Sequence, residues 1–230
     1  MQETAKKITL ILGGARSGKR TLAEKLAATR AGDAGGVLYV ATLLPYDAEM
    51  RERVTLHRAS RPAGWRTLEA PYKLTDAILA NLQGEKLVLL DCLTVWTANR
   101  LIALMEPGLL ASTEIFEEEL PVELPVEPPP KPEQGSDKDK TEKVIDYLAL
   151  EREIGAELDN LLVGLQERGV GLVLVSNEVG MSLVPPYPLG RVYRDLLGRL
   201  NQRFASRADE VILVVAGIPV DLKRLQAELA

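Results

Sequence analysis

The 230-residue chain holds one cysteine and one histidine, and only 4% of it is aromatic. A lone Cys92 excludes an internal disulfide and any multi-cysteine zinc site. A lone His57 excludes the two-histidine zinc motifs and any His-rich metal centre. No apolar run approaches the ~18 residues that a membrane span needs. The apolar stretch 8–12 falls short of the ~7–15-residue core of a secretory leader. What is present is 46% hydrophobic and 27% charged residues, the composition of a soluble globular protein with a sizeable core. The expectation is a cytoplasmic protein without a structural metal.

The net charge of −5 is unevenly distributed. Segment 106–140 carries ten acidic and three basic residues, a net of −7, which leaves the rest of the chain at +2. A body that close to neutral offers no broad basic surface for nucleic acid. The same segment holds seven of the fourteen prolines. Repeated Pro and Glu with little to bury predict an extended, flexible insertion. A short helix over 113–120, capped by Ser112 or Thr113, is the one element it could form.

Outside the insertion, short β-branched runs alternate with helix-period segments. Strands are predicted over 8–12, 37–41, 87–91, 171–176 and 210–215, several of them apolar throughout, as strands covered on both faces are. Helices are predicted over 21–30, 47–59, 73–81, 94–105, 143–168 and 190–208. In the last, Val192, Leu196, Leu200 and Phe204 recur every fourth residue and form one apolar stripe. This alternation predicts a single α/β domain, 1–230, built on an open, mostly parallel sheet flanked by helices.

The strongest motif is Gly13-Gly14-Ala15-Arg16-Ser17-Gly18-Lys19, directly after a predicted strand and before a predicted helix. That is the context of a P-loop, in which backbone N–H groups and a helix N-terminus surround phosphate oxygens and the lysine reaches the β/γ-phosphates. The next position normally carries Ser or Thr as a Mg²⁺ ligand, but here it is Arg20. Thr21 lies about 100° further round the helix and does not substitute simply. Arg20 either adds charge at the phosphates or faces solvent.

Three further signals accompany the loop. His57, read alone, is a surface or capping residue near a helix C-terminus. Its neighbours Arg58 and Arg61 suit a phosphate site, and imidazole is a competent nucleophile toward phosphorus. Asp91 ends a buried strand, where a carboxylate faces the ligand crevice of an α/β sheet; it could bind Mg²⁺ or cap the following helix. Ser176-Asn177-Glu178-Val179-Gly180 also follows a buried strand, with Asn177 and Glu178 expected in the same crevice, although such residues are ordinary loop chemistry too.

In order along the chain stand GGARSGK, YVAT at 39–42, the run from His57 through RPAGWRTLE, LLDCLT, SNEVGMSLVP, and LGRVYRDLLGRLNQRFASRADEVILVVAGIP. This series resembles the bifunctional adenosylcobinamide kinase / adenosylcobinamide-phosphate guanylyltransferase family of cobalamin biosynthesis. The likeness spans nearly the whole chain except the Pro/Glu insertion. It implies a P-loop fold of the RecA-like kind and two reactions. ATP or GTP phosphorylates the aminopropanol hydroxyl of adenosylcobinamide, and GMP from GTP is then joined to that phosphate, giving adenosylcobinamide-GDP.

The resemblance implies His57 as the guanylylated nucleophile. It carries nucleotide contacts onto Gly13, Gly14, Ala15, Arg16, Ser17, Gly18, Lys19, Arg20, Ala41, Thr42, Leu43, Arg58, Ala59, Ser60, Arg61, Glu69 and Asp91. GTP and ATP are the implied substrates with Mg²⁺, adenosylcobinamide and its phosphate the implied partners, and a homo-oligomer, in trimeric form, the implied assembly. The chain departs from the family at Arg20, where the family has Ser, and at Leu43, Ala59 and Ser60. Three readings stand beside one another: the bifunctional enzyme, a guanylyltransferase or P-loop kinase alone, and a non-catalytic nucleotide-binding module.

Overall fold

In a computed structural model of the chain, residues 6–32, 36–44, 62, 64–105 and 147–229 are described. They build one seven-stranded sheet. Strand β1 (Ile8–Gly13) leads into α1 (Lys19–Ala31), followed by β2 (Val37–Ala41), β3 (Arg66–Glu69), α2 (Leu74–Asn81), β4 (Leu87–Asp91) and α3 (Leu93–Met105). Then come α4 (Tyr147–Glu167), β5 (Gly171–Val175), α5 (Pro188–Arg207), β6 (Glu210–Val215), β7 (Ile218–Asp221) and α6 (Leu222–Leu229). The strand order is β3-β2-β4-β5-β1-β6-β7. All neighbours run parallel except β6 and β7.

Central strands are apolar at every position because both faces are covered. Leu10, Leu12, Leu38, Val40, Val88, Leu90, Leu172 and Leu174 point to one face, where α2 to α5 pack. Ile11, Val37, Tyr39, Leu87, Leu89, Val173 and Val175 point to the other, against Ala23 and Ala27 of α1. The small alanine side chains bring that helix close to the sheet, and alanine also favours the helix itself. Gly32 ends α1 at a positive φ of 68 that favours glycine, its N–H donating to Ala28 O. The predicted stripe on α5 is observed: Leu196, Leu200 and Phe204 are buried and Val192 packs against the same cluster.

Several expectations are adjusted. Helix α1 begins at Lys19, two residues earlier than predicted, because Gly18 turns the chain directly into it. Strands β3 and β7 and helix α6 were not expected. Strand β3 is a half-exposed edge with a single apolar side chain, Leu68, so it lacks the alternating pattern. The helices predicted over 47–59 and 113–120, and the insertion 106–140, lie outside the described residues.

Candidate functional site

A parallel sheet presents a ligand crevice beyond the carboxyl ends of its strands. Here the ends of β1, β2 and β4 carry the residues singled out in the sequence. Gly13 closes β1 with φ 155. A Cβ there would stand 2.4 Å from Val214 O and 2.7 Å from Ser17 Oγ, so only glycine lets the loop leave the strand at this angle. Ser17 N–H then donates to Gly14 O at 3.3 Å, and Gly18, with φ 95, opens α1. No side chain caps this helix and its first turn contains no acidic residue. Its free N–H groups and dipole are therefore left to an anion.

Lys19 is 8% exposed and donates from Nζ to Gly14 O at 2.6 Å. Burial lowers its pKa, and the fields of Cys92 and Asp91 offset part of that effect. An ammonium poorly solvated in this way gains strongly from a phosphate oxygen. Ser17 Oγ is buried without a hydrogen-bond partner. Ala15 and Arg16 form the exposed crest of the loop, with Arg16 at φ 55.

Arg20, its side chain 37% exposed, turns its guanidinium toward the sheet. Its Nη2 lies 2.6 Å from Asp91 Oδ2 and donates to Tyr39 Oη at 2.7 Å. The Tyr39 hydroxyl in turn donates to Asp91 Oδ2. The register explains why these three meet. Tyr39 pairs with Leu89 and Ala41 with Asp91, so Tyr39 and Asp91 are diagonal neighbours on the sheet face that α1 covers. Burial, and then the Asp91 charge, push the Tyr39 phenol well above its ordinary range, so it stays a donor. The reading of the sequence passed over Tyr39. The signals for it were its place in the YVAT motif, which was given no role for the tyrosine, and a polar atom within an otherwise apolar strand.

Thr42, also a candidate contact, is fully buried with its hydroxyl engaged. It donates to Cys92 O at 2.8 Å and accepts from Cys92 N–H at 2.9 Å. Ala41 and Leu43 flank it, half-buried, and Glu69 ends β3 on the exposed side. Asn177 and Glu178 are held by their backbones. Asn177 N–H donates to Thr94 Oγ1 at 2.7 Å, and Glu178 N–H to Gly13 O at 3.1 Å, which ties this loop to the base of the P-loop. Buried Asn201 of α5 accepts from Ser176 Oγ and donates to Asn177 O. His57, Arg58, Ala59, Ser60 and Arg61 lie outside the described residues. Their run re-enters at Trp65, whose ring stacks on Tyr39 with centroids 6.5 Å apart.

Mg²⁺ is the usual companion of a P-loop triphosphate. The residues at its protein-ligand positions do not fit it. Arg20 replaces the hydroxyl, Asp91 is already paired with that guanidinium, and Thr21 is exposed. Among the described residues no group of three or more His, Cys, Asp and Glu side chains could hold a metal ion. No described helix is long and apolar enough to cross a membrane.

A glycine turn between a central parallel strand and an uncapped helix, with a buried lysine at the helix start, defines a P-loop nucleotide-binding protein. Residues 9–222 match the family of cobinamide kinase / cobinamide phosphate guanyltransferase, and the chain belongs to it. It is 39% identical to the bifunctional adenosylcobalamin biosynthesis protein CobU of Escherichia coli (strain K12), over 93% of this chain and 98% of that one. Its identity to the CobU protein of Salmonella typhimurium is 40%, over 93% and 98%. To the CobP protein of Pseudomonas aeruginosa it is 36%, over 93% and 96%. The family expected from the ordered motifs is the one found.

Proposed function

We propose that the protein phosphorylates adenosylcobinamide with ATP or GTP and then transfers GMP from GTP to the resulting phosphate, with His57 as the relay. The observation that carries this reading is the phosphate-ready turn Gly13–Lys19 at the end of β1, in a chain that belongs to this family over residues 9–222. In the kinase step the substrate hydroxyl oxygen attacks the γ-phosphorus and the nucleoside diphosphate leaves. The loop N–H groups and Lys19 hold the phosphates and stabilise charge on the leaving oxygens. In the transfer step a ring nitrogen of His57 attacks the α-phosphorus of GTP and pyrophosphate departs. The phosphate of adenosylcobinamide phosphate then displaces the imidazole, forming the new diphosphate bond. The working form is read, on the resemblance alone, as a cytoplasmic homo-oligomer, a trimer.

Incubation with labelled GTP tests both steps. α-Labelled GTP should leave an acid-labile, base-stable label on the protein, as a phosphoramidate does, and His57→Ala should remove it while GTP still binds. γ-Labelled GTP should label adenosylcobinamide. An adduct that persists in His57→Ala places the nucleophile elsewhere. No label on either protein or substrate leaves only a binding module.

A further inference from the structure

A P-loop offers two protein ligands to a divalent cation, the hydroxyl after the lysine and a carboxylate at the end of a neighbouring strand. In this chain both positions are occupied by one ion pair. Arg20 stands where the hydroxyl belongs and its Nη2 lies 2.6 Å from Asp91 Oδ2. Tyr39 Oη accepts from the same nitrogen at 2.7 Å and donates to the same carboxylate oxygen, so two side chains, Asp91 and Tyr39, hold the guanidinium. A metal ion approaching Asp91 would meet a carboxylate whose charge is already offset by a guanidinium at Oδ2. A guanidinium is charged at every working pH and carries five donors.

Two polar atoms in this region are buried without a hydrogen-bond partner: Ser17 Oγ in the loop and Arg20 Nε at the start of α1. Arg20 Nε forms an ion pair with the Glu24 carboxylate at 3.8 Å, beyond hydrogen-bond reach. Orphaned buried polar atoms are rare in folded proteins and call for a physical account. Both sit at the turn where an anionic ligand is expected.

Resting on the nucleotide-binding reading above, we propose that the Arg20 guanidinium, held by Asp91 and Tyr39, replaces the protein-bound divalent cation of this P-loop. The protein therefore takes a nucleoside triphosphate equally well with or without a metal ion on its phosphates. Any metal that arrives with the nucleotide gains no ligand from Arg20 or Asp91. Binding linkage is reciprocal, so if the metal does not alter nucleotide affinity, the protein does not alter the nucleotide's affinity for metal.

The test is GTP binding to the full chain in excess Mg²⁺ and in EDTA at matched ionic strength, by calorimetry. Alongside it, free Mn²⁺ is followed by EPR in solutions of GTP with and without the protein. The unmodified chain should bind GTP within about threefold in the two conditions, and it should leave the Mn²⁺ affinity of GTP unchanged. Arg20→Ser should bind GTP at least about tenfold more weakly in EDTA than in Mg²⁺, and should tighten Mn²⁺ on GTP by the same factor. Should the serine variant not fold, the two wild-type readouts decide alone. A tenfold loss in EDTA with the unmodified chain overturns the proposal and leaves nucleotide binding standing. So does a serine variant as indifferent to metal as its parent, since the ion pair is then only structural. No GTP binding in either condition overturns the proposal and the functional reading together.

Discussion

Cys92 is the residue at which burial, charge and site meet. It follows Asp91, its N–H and carbonyl are both engaged by Thr42, and burial followed by the Asp91 carboxylate pushes its thiol up to about 11. A thiolate is the reactive form. Two units above the ordinary value leave roughly 100-fold less thiolate at pH 8 than in an unfolded chain. Iodoacetamide at pH 8 should therefore alkylate the native protein about 100-fold more slowly than the urea-denatured one. The native rate should rise about tenfold per pH unit above 8 and level off only as pH passes about 11. A native rate within about fivefold of the denatured rate would show the thiol to be exposed and ionised. At this scale the sequence was legible where spacing carries the meaning. Gly13, Gly18 and Lys19 were read from a motif. The partner of Arg20 was not, because Tyr39 and Asp91 meet through the pairing of β2 with β4, strands separated in the chain by β3 and α2.

Elements held together by polar contacts are harder to foresee than those held by apolar stripes. Helix α2 has no cap of its own: Leu74 N–H donates at 2.9 Å to Glu157 of α4, whose other oxygen binds Arg100 of α3. Strand β7 follows β6 through Ala216 and Gly217, both at positive φ, the geometry of a two-residue hairpin turn. Two β-branched runs separated by two residues were the available signal, and Pro219 obscured it. Proline is tolerated here because β7 is an edge strand. Gly217 N–H donates to Ser17 O at 2.9 Å, so this unforeseen hairpin also steadies the P-loop. Helix α5, by contrast, was evident from its stripe, but the stripe does not reveal that Asn201 within it clamps the loop after β5. Asn201→Ala would leave Ser176 Oγ and the Asn177 carbonyl without that buried partner. The expected cost is about 2 kcal/mol, read from urea unfolding monitored by circular dichroism. A loss below about 0.5 kcal/mol would mean that water takes over both bonds.

For the molecule as a whole, the open question is what the acidic, proline-rich segment contributes. Among the described residues, which do not include 106–140, the seven-stranded sheet, both hydrophobic clusters and the glycine turn are already formed. In the sequence the segment stands between α3 and α4, two helices that bury Leu93, Trp96, Leu101, Ile154 and Leu158 in one cluster. The entropy of closing a loop changes by only about 0.6 kcal/mol per doubling of its length, so shortening this one cannot cost much. Deleting 109–138 and bridging the gap with a short Gly/Ser linker should shift the melting temperature by no more than about 3 °C, equivalent to about 1 kcal/mol for a protein of this size. Residues 109–138 carry a net charge of −6, so the variant should elute earlier than the parent from an anion exchanger. Labelling by α-labelled GTP should persist at close to the parental rate. Insoluble protein, a drop in melting temperature of about 10 °C, or loss of the label would show instead that the segment packs on the fold or completes the site.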